Sequence, residues 1–285
     1  MDVPATWCPG RLEGDYANGY LRVEDEEAVC LEVRWETAGR RVPPASKLVD
    51  KYLKQLRKKT RRSSRDADVV RDMAIRRLNH LDHEAFTWNG EFAAHSVLAV
   101  CSETHRVVHV RVFFQEGKTR KSLARKIFGS LTTAPDDGQT EWSAFGFAFR
   151  LPSAWRLEES GLRTGCLRFL FADDNDQLEV VRFSLAGMLL RATPFTRWFR
   201  ETFRKALKKY RFDLTTTEYR DCPAVRCEGV MRSMARPLGL FRRKKRLTAL
   251  VWHDAATDKI HVVRLVTTTV DDPQLEAVAA SITSD

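Results

Sequence analysis

The chain has 285 residues, of which 43% are hydrophobic and 10% aromatic, enough for two domains with apolar cores and too many for global disorder. Lys and Arg number 48 against 38 Asp and Glu, a formal net charge of +10 that favours acidic partners: an acidic protein, nucleic acid or an anionic surface. No run of about 18 apolar residues is present to span a membrane, and "MDVPATWCPGRLEG" lacks the basic and apolar segments of a secretory signal, so the six scattered cysteines (Cys8, Cys30, Cys101, Cys166, Cys222 and Cys227) predict reduced thiols in a cytoplasmic protein.

In chain order, "VPATWCPGRLEG" (3–14), "YLRV" (20–23) and "CLEVRW" (30–35) read as short strands. "KLVDKYLKQLRKKT" (47–60) reads as an amphipathic helix with Leu48, Val49, Tyr52, Leu53 and Leu56 on its apolar face. "RKKTRRSSR" (57–65) leads into a second helix over about 66–82, within a basic helical insertion around 57–84. "FAAHSVLAVCS" and "RVVHVRVFFQ" form a strand pair. In the latter, Val108, Val110 and Val112 point one way, and Val107, His109, Arg111 and Phe113 the other. A helix closing on "IFGSLT" (127–132) precedes the polar boundary "TTAPDDGQT" (132–140), which separates a first domain, 1–134, from a second, 141–285. The second domain repeats the order. It has strands at "FGFAFRLPSAWRLEESG" (145–161), "CLRF" (166–169) and "LEVVRF" (178–183), then a helix, "FTRWFRETFRKALKKYR" (195–211). The strands "AVRCEGV", "RLTALVWHD" and "KIHVVRLVTTTV" follow, and a last helix ends on "VAASIT" (278–283). Between the first two of those later strands, Pro237 and Gly239 predict a long basic loop, "RSMARPLGLFRRKKR" (232–246).

The chain therefore says one thing twice. Pro4 and Trp7 match Pro152 and Trp155 at an offset of about 148, "YLRV" matches "CLRF", and "CLEVRW" matches "LEVVRF". The Pro–Trp opening, the antiparallel meander, the middle helix and the closing helix ending on Ile-x-x-Ser-Leu or a variant resemble the PsbP-like family. The likeness is strongest in "FGFAFRLPSAWRLEESG" and "LEAVAASIT" (275–283). The resemblance implies an α+β fold of two tandem PsbP-like domains, each a twisted antiparallel sheet with packed helices. It also implies a non-catalytic binding or assembly role, with no cofactor.

The charge is unevenly spread. Residues 47–65 sum to +8, 197–211 to +6 and 232–246 to +7, leaving −11 for the rest. Lys47, Lys51, Lys54, Lys58 and Arg61 recur at steps of three and four, as do Arg197, Arg200, Arg204, Lys208 and Arg211, so each set forms one stripe on a helix. With Arg242, Arg243, Lys244, Lys245 and Arg246 of the loop, these are the candidate residues for binding an acidic protein or, alternatively, a phosphate backbone with little sequence specificity. His80 and His83, at i and i+3 of the helix expected over 66–82, are weak candidates for a metal pair, and no third ligand stands at useful spacing. His109 and His261 occupy matching strand positions, a repeated sheet-face histidine or a duplicated base. No phosphate-cradling glycine loop, nucleophile elbow or zincin motif is present, so the expectation is a binding protein and not an enzyme.

Overall fold

The computed structural model describes every residue except 40, 61–67, 72, 79, 91, 116–119, 133–136, 233–243, 271 and 285, with backbone alone at 59 and 60. The chain divides into two compact units, Met1–Pro135 and Asp136–Asp285.

The first unit is built on a seven-stranded antiparallel sheet. Its strands are β1 (Cys8–Gly14), β2 (Asn18–Glu24), β3 (Val29–Thr37), β4 (Asp68–Val70), β5 (Asp82–Asn89), β6 (Ala93–Cys101) and β7 (Arg106–Phe114), in the order β1-β2-β3-β7-β6-β5-β4. Helix α1 (Ala45–Thr60) covers one face and α2 (Lys121–Gly129) the other. Pro43 and Pro44 end the preceding extended segment, and the first free amide of α1, on Ala45, is capped by the Asp82 carboxylate at 2.9 Å. Val49 and Leu53 then pack on Phe86, Trp88, Leu98, Val100 and Val107. Ala124, Ile127 and Phe128 of α2 close the opposite core over Val97, Ala99, Val108, Val110 and Val112. The alternation read in "RVVHVRVFF" is thus the division between two cores.

The second unit repeats this sheet. Strands β10 (Arg156–Arg163), β11 (Cys166–Asp173), β12 (Asp176–Ser184), β13 (Tyr210–Tyr219), β14 (Cys222–Met231), β15 (Arg246–Asp254) and β16 (Lys259–Thr267) lie in the order β10-β11-β12-β16-β15-β14-β13, the order of the first sheet shifted by nine strands. Three short helices, α3 (Ala186–Leu190), α4 (Phe195–Thr202) and α5 (Arg204–Leu207), stand where α1 stands, and α6 (Gln274–Ser281) stands where α2 stands. A small sheet of β8 (Gln139–Ala144), β9 (Phe147–Pro152) and β17 (Thr283–Ser284) is added.

The likeness reaches single hydrogen bonds. The Trp7 amide donates to Pro4 at 3.0 Å and the Trp155 amide to Pro152 at 3.1 Å. The β1–β2 ladder is bulged between Pro9 and Arg11, and β10–β11 between Leu157 and Glu159, 148 residues on. The Asp2 amide donates to the Ser130 hydroxyl, and the Arg150 amide to that of Ser281.

The helical expectations need correction. Among the described residues strand makes up 51% and helix 20%, in three sheets and six helices, so the architecture is richer in sheet than the expected α+β PsbP-like fold. Two segments carry the difference. The helix expected over 66–82 is instead β4, a single 3₁₀ turn at Arg76–Leu78 and the start of β5. Met73, Ile75, Leu78 and Leu81 are buried in the core shared with α2 at a spacing no α-helix presents on one side, because irregular chain with a 3₁₀ turn runs there. The helix expected over 195–211 breaks at Phe203 (φ −98°, ψ 15°), between α4 and α5, and by Tyr210 the chain has entered β13. The ten-residue β13 is held by pairing with β14 through a tight turn in which Arg220 and Asp221 both have positive φ.

Candidate functional site

On α1, Lys47, Lys51, Lys54 and Lys58 are all exposed, opposite the buried Val49 and Leu53; Arg61 lies outside the described residues. Among the described residues no carboxylate lies within ion-pair distance of these four lysines. Beside them, a depression of about 630 Å3 between α1 and β4 is lined by Lys54, Arg57, Lys58, Arg71 and Asp50. Arg71 is committed there, bonded to Asp50 and Glu84. The Asp50 hydrogen bond is the main reason its guanidinium holds its proton more tightly than usual.

The second stripe is only partly assembled. Arg200, Arg204 and Lys208 are exposed along α4 and α5, while Arg197 is engaged by Glu201 one turn on at 2.8 Å. Arg211 does not belong to the stripe. It sits on β13, where Tyr210 and Phe212 point to the core under α4 and α5, so Arg211 faces the other side of the sheet. There it lines a depression of about 480 Å3 with Arg226, Arg246, Asp213, Glu228 and Asp272, a mixed set with no single sign. Of the loop, Arg242 and Arg243 lie outside the described residues. Lys244 is exposed, Lys245 donates to the Asn175 carbonyl at 2.7 Å, and Arg246 begins β15.

Beneath each middle helix lies a group that sequence reasoning missed, a carboxylate on the sheet, half-buried in the first unit and buried in the second, with a cross-strand arginine. Glu32 on β3 is opposite Arg111 on β7, and Glu179 on β12 is opposite Arg264 on β16. Glu32 takes hydrogen bonds from Arg111 and from the Tyr20 hydroxyl (2.6 Å). Glu179 takes them from Arg264 Nε (2.7 Å) and Arg168 Nε (2.5 Å), and Arg168 also holds Glu159. Tyr20 and Arg168 are 148 residues apart and equivalent. The glutamates are 147 apart, because the β2–β3 connection spans 25–28 and the β11–β12 turn only 174–175, with a bulge at Val23/Glu24. The one signal in the sequence was the Leu-Glu pair shared by the two quoted phrases.

That single residue separates the two histidines. His109 pairs across the sheet with Arg34 and meets Tyr52 of α1 edge-on at 4.6 Å. His261 pairs with Arg182 and stacks on Trp252 and Phe147, on the side away from α4 and α5. They do not match. The structural partner of His109 is Val262. Burial, reinforced by the Arg111 and Arg34 guanidiniums, lowers the His109 pKa to about 3, and its Nε2 is buried without a hydrogen-bond partner. Burial also lowers His261 to about 4, with Asp254 opposing and Arg182, Lys259 and Arg220 assisting.

His80 lies in a turn, and His83 is on β5 with Nδ1 at 3.0 Å from the Leu81 carbonyl, so the shared helical face that would pair them does not form. Among the described residues no three His, Cys, Asp or Glu side chains are grouped to hold a metal. All six cysteines are free thiols, and burial pushes Cys227, deep in the core under α4 and α5, up to about 12. Among the described residues no helix is long and apolar enough to cross a membrane. No family model matches the chain, and no curated protein is found similar to it.

Proposed function

We propose that this chain is a non-enzymatic binding protein of the cytoplasm that docks an acidic partner on the exposed basic faces of its middle helices. The observation that carries the reading is on α1. Four lysines share one solvent-facing side without a carboxylate partner among the described residues, while the opposite side is anchored in a core that keeps the row in place. Charges that serve only solubility need neither the periodic placement nor the recurrence, and Arg200, Arg204 and Lys208 on α4 and α5 repeat the exposure in the second unit. The free thiols accord with a reducing compartment.

The test is a salt titration of binding to fluorescent polyglutamate, for the wild type and for the triple variant Lys51→Glu, Lys54→Glu, Lys58→Glu. Expected are binding by the wild type at low salt, a steep salt dependence, and loss of most of that dependence in the variant, with the melting temperature almost unchanged because exposed charges stabilise little. Equal binding by both proteins would remove the α1 face from the interaction. Tighter binding to generic duplex DNA or single strands, with a log–log salt slope of about −0.9 or −0.7 per phosphate contacted, would instead assign the face to a phosphate backbone.

A further inference from the structure

The first unit holds a cleft that its sister unit has filled. A cavity of about 390 Å3 opens between α1 and the β3–β7–β6 surface, walled by Tyr52, Leu56, Phe92, Leu98 and Val107, with Arg34, His109 and Arg111 on its floor and exposed Glu36 at its side. Aligning the glutamate–arginine pairs, Arg34, Glu36, Leu98, Val107 and His109 correspond to Val181, Phe183, Val251, Ile260 and Val262. In the second unit all five belong to, or pack on, one closed apolar core, with Phe183 edge-on to Trp198 of α4 at 5.2 Å. The same fold is therefore stable with this space filled by hydrocarbon. The first unit instead leaves it open and lines it with the His109 ring, whose Nε2 is buried without a hydrogen-bond partner. An unsatisfied buried polar atom where an apolar residue demonstrably fits is a cost to folding, and binding-site polar groups carry such costs.

We propose that this cleft is a binding site for a small phenolic monocarboxylate. The ring lies against Tyr52, Phe92, Leu98 and Val107. A ligand hydroxyl reaches His109 Nε2 as the Tyr52 ring packed edge-on to the imidazole turns aside, and it suits either neutral tautomer because a hydroxyl both donates and accepts. The carboxylate meets the exposed guanidinium of Arg34, whose Cβ lies about 5 Å across the strand pair from that of His109. Arg111 is already committed to Glu32 and the Tyr52 hydroxyl, and Glu36 repels a second acid group, so a single carboxylate is preferred. The volume lies at the small end of ordinary ligand cavities. The site does not depend on the lysine row of α1.

Calorimetric titration of the full chain with 4-hydroxyphenylacetate, and with its uncharged analogue 4-(2-hydroxyethyl)phenol, tests the proposal. The expected result is one saturable site per chain for both. Arg34→Ala weakens the acid about tenfold or more and leaves the alcohol unchanged, and His109→Val abolishes both. In the wild type, saturation shifts the His109 imidazole ¹⁵N resonances, a readout that holds even if a variant fails to fold. No saturable binding of either compound up to about 10 mM would overturn the site, and so would saturation that leaves the His109 resonances unmoved. An Arg34→Ala protein that binds the acid as well as the wild type does would overturn the assigned pose and with it the ligand class.

Discussion

Glu179, with 3% of its surface exposed, takes hydrogen bonds from two guanidiniums, Arg168 from β11 and Arg264 from β16. Removing one member of such a group leaves the other charges buried and uncompensated, so Glu179→Ala should cost about 3–5 kcal/mol in a urea denaturation measurement. Glu32→Ala should cost less, because its pair with Arg111 retains more contact with water. Histidine behaves in the opposite sense. In the unfolded chain His109 and His261 titrate near 6.5, but in the folded chain near 3 and 4. Below pH 6.5 the unfolded state therefore binds protons that the folded state refuses. Stability present above pH 6.5 is lost as the pH falls, down to about 4 for His261 and about 3 for His109, at about 1.4 kcal/mol per pH unit for each group. Melts of His109→Val between pH 6 and 4.5 should show a slope shallower by about that amount, with no loss of stability at pH 7. Trp155, 3% exposed and bonded through Nε1 to Gln274 of α6, should cost about 3–5 kcal/mol when truncated to alanine, whereas an unchanged melting temperature would place it outside the core.

At the scale of elements, α1 separates packing from charge. Leu53→Ala should destabilise by about 2–5 kcal/mol, since the side chain is buried against the sheet, whereas Lys54→Glu one residue on should change stability by about 0.5 kcal/mol or less. Paired urea titrations of the two variants check both. The kind of most strands was legible, because alternation is a local property and the side chains of β7 divide as their pattern said. The helices were less so. The aromatic and basic periodicity of 195–211 continues across Phe203, yet the chain turns there, because Tyr210 onward is claimed by pairing with β14. Helix propensity is a weak prior against a ten-residue ladder of strand hydrogen bonds.

For the whole molecule, each unit has its own sheet and its own cores on both faces. Residues 136–285 expressed alone should therefore give a cooperative melt and a dispersed amide spectrum. A fragment without tertiary signal would show that the second unit needs the first. The basic residues are spread less simply than their periodicity suggested. Arg211 and Arg246 lie on the sheet face away from α4 and α5, among carboxylates, so the second unit offers Arg200, Arg204 and Lys208 as its exposed row and not a stripe of five.

The sequence by itself determined that there are two copies, that each has a helix in mid-chain and one at its end, and that a lysine row rides on the first of these. All of this follows from spacing within a few residues and from repeated short phrases. Only the tertiary structure decided that the copies align at 148 residues before the β2–β3 connection, at 147 along β3 and β12, and at 153 along the β6–β7 and β15–β16 pairs. Side chains alternate faces along a strand, so that one residue sends His109 and His261 to opposite sides, pairs Glu32 with Glu179, and opens a polar cleft where the sister unit has valine and phenylalanine. Register is set by loop length and by partners dozens of residues away, and no local pattern in the chain carries it.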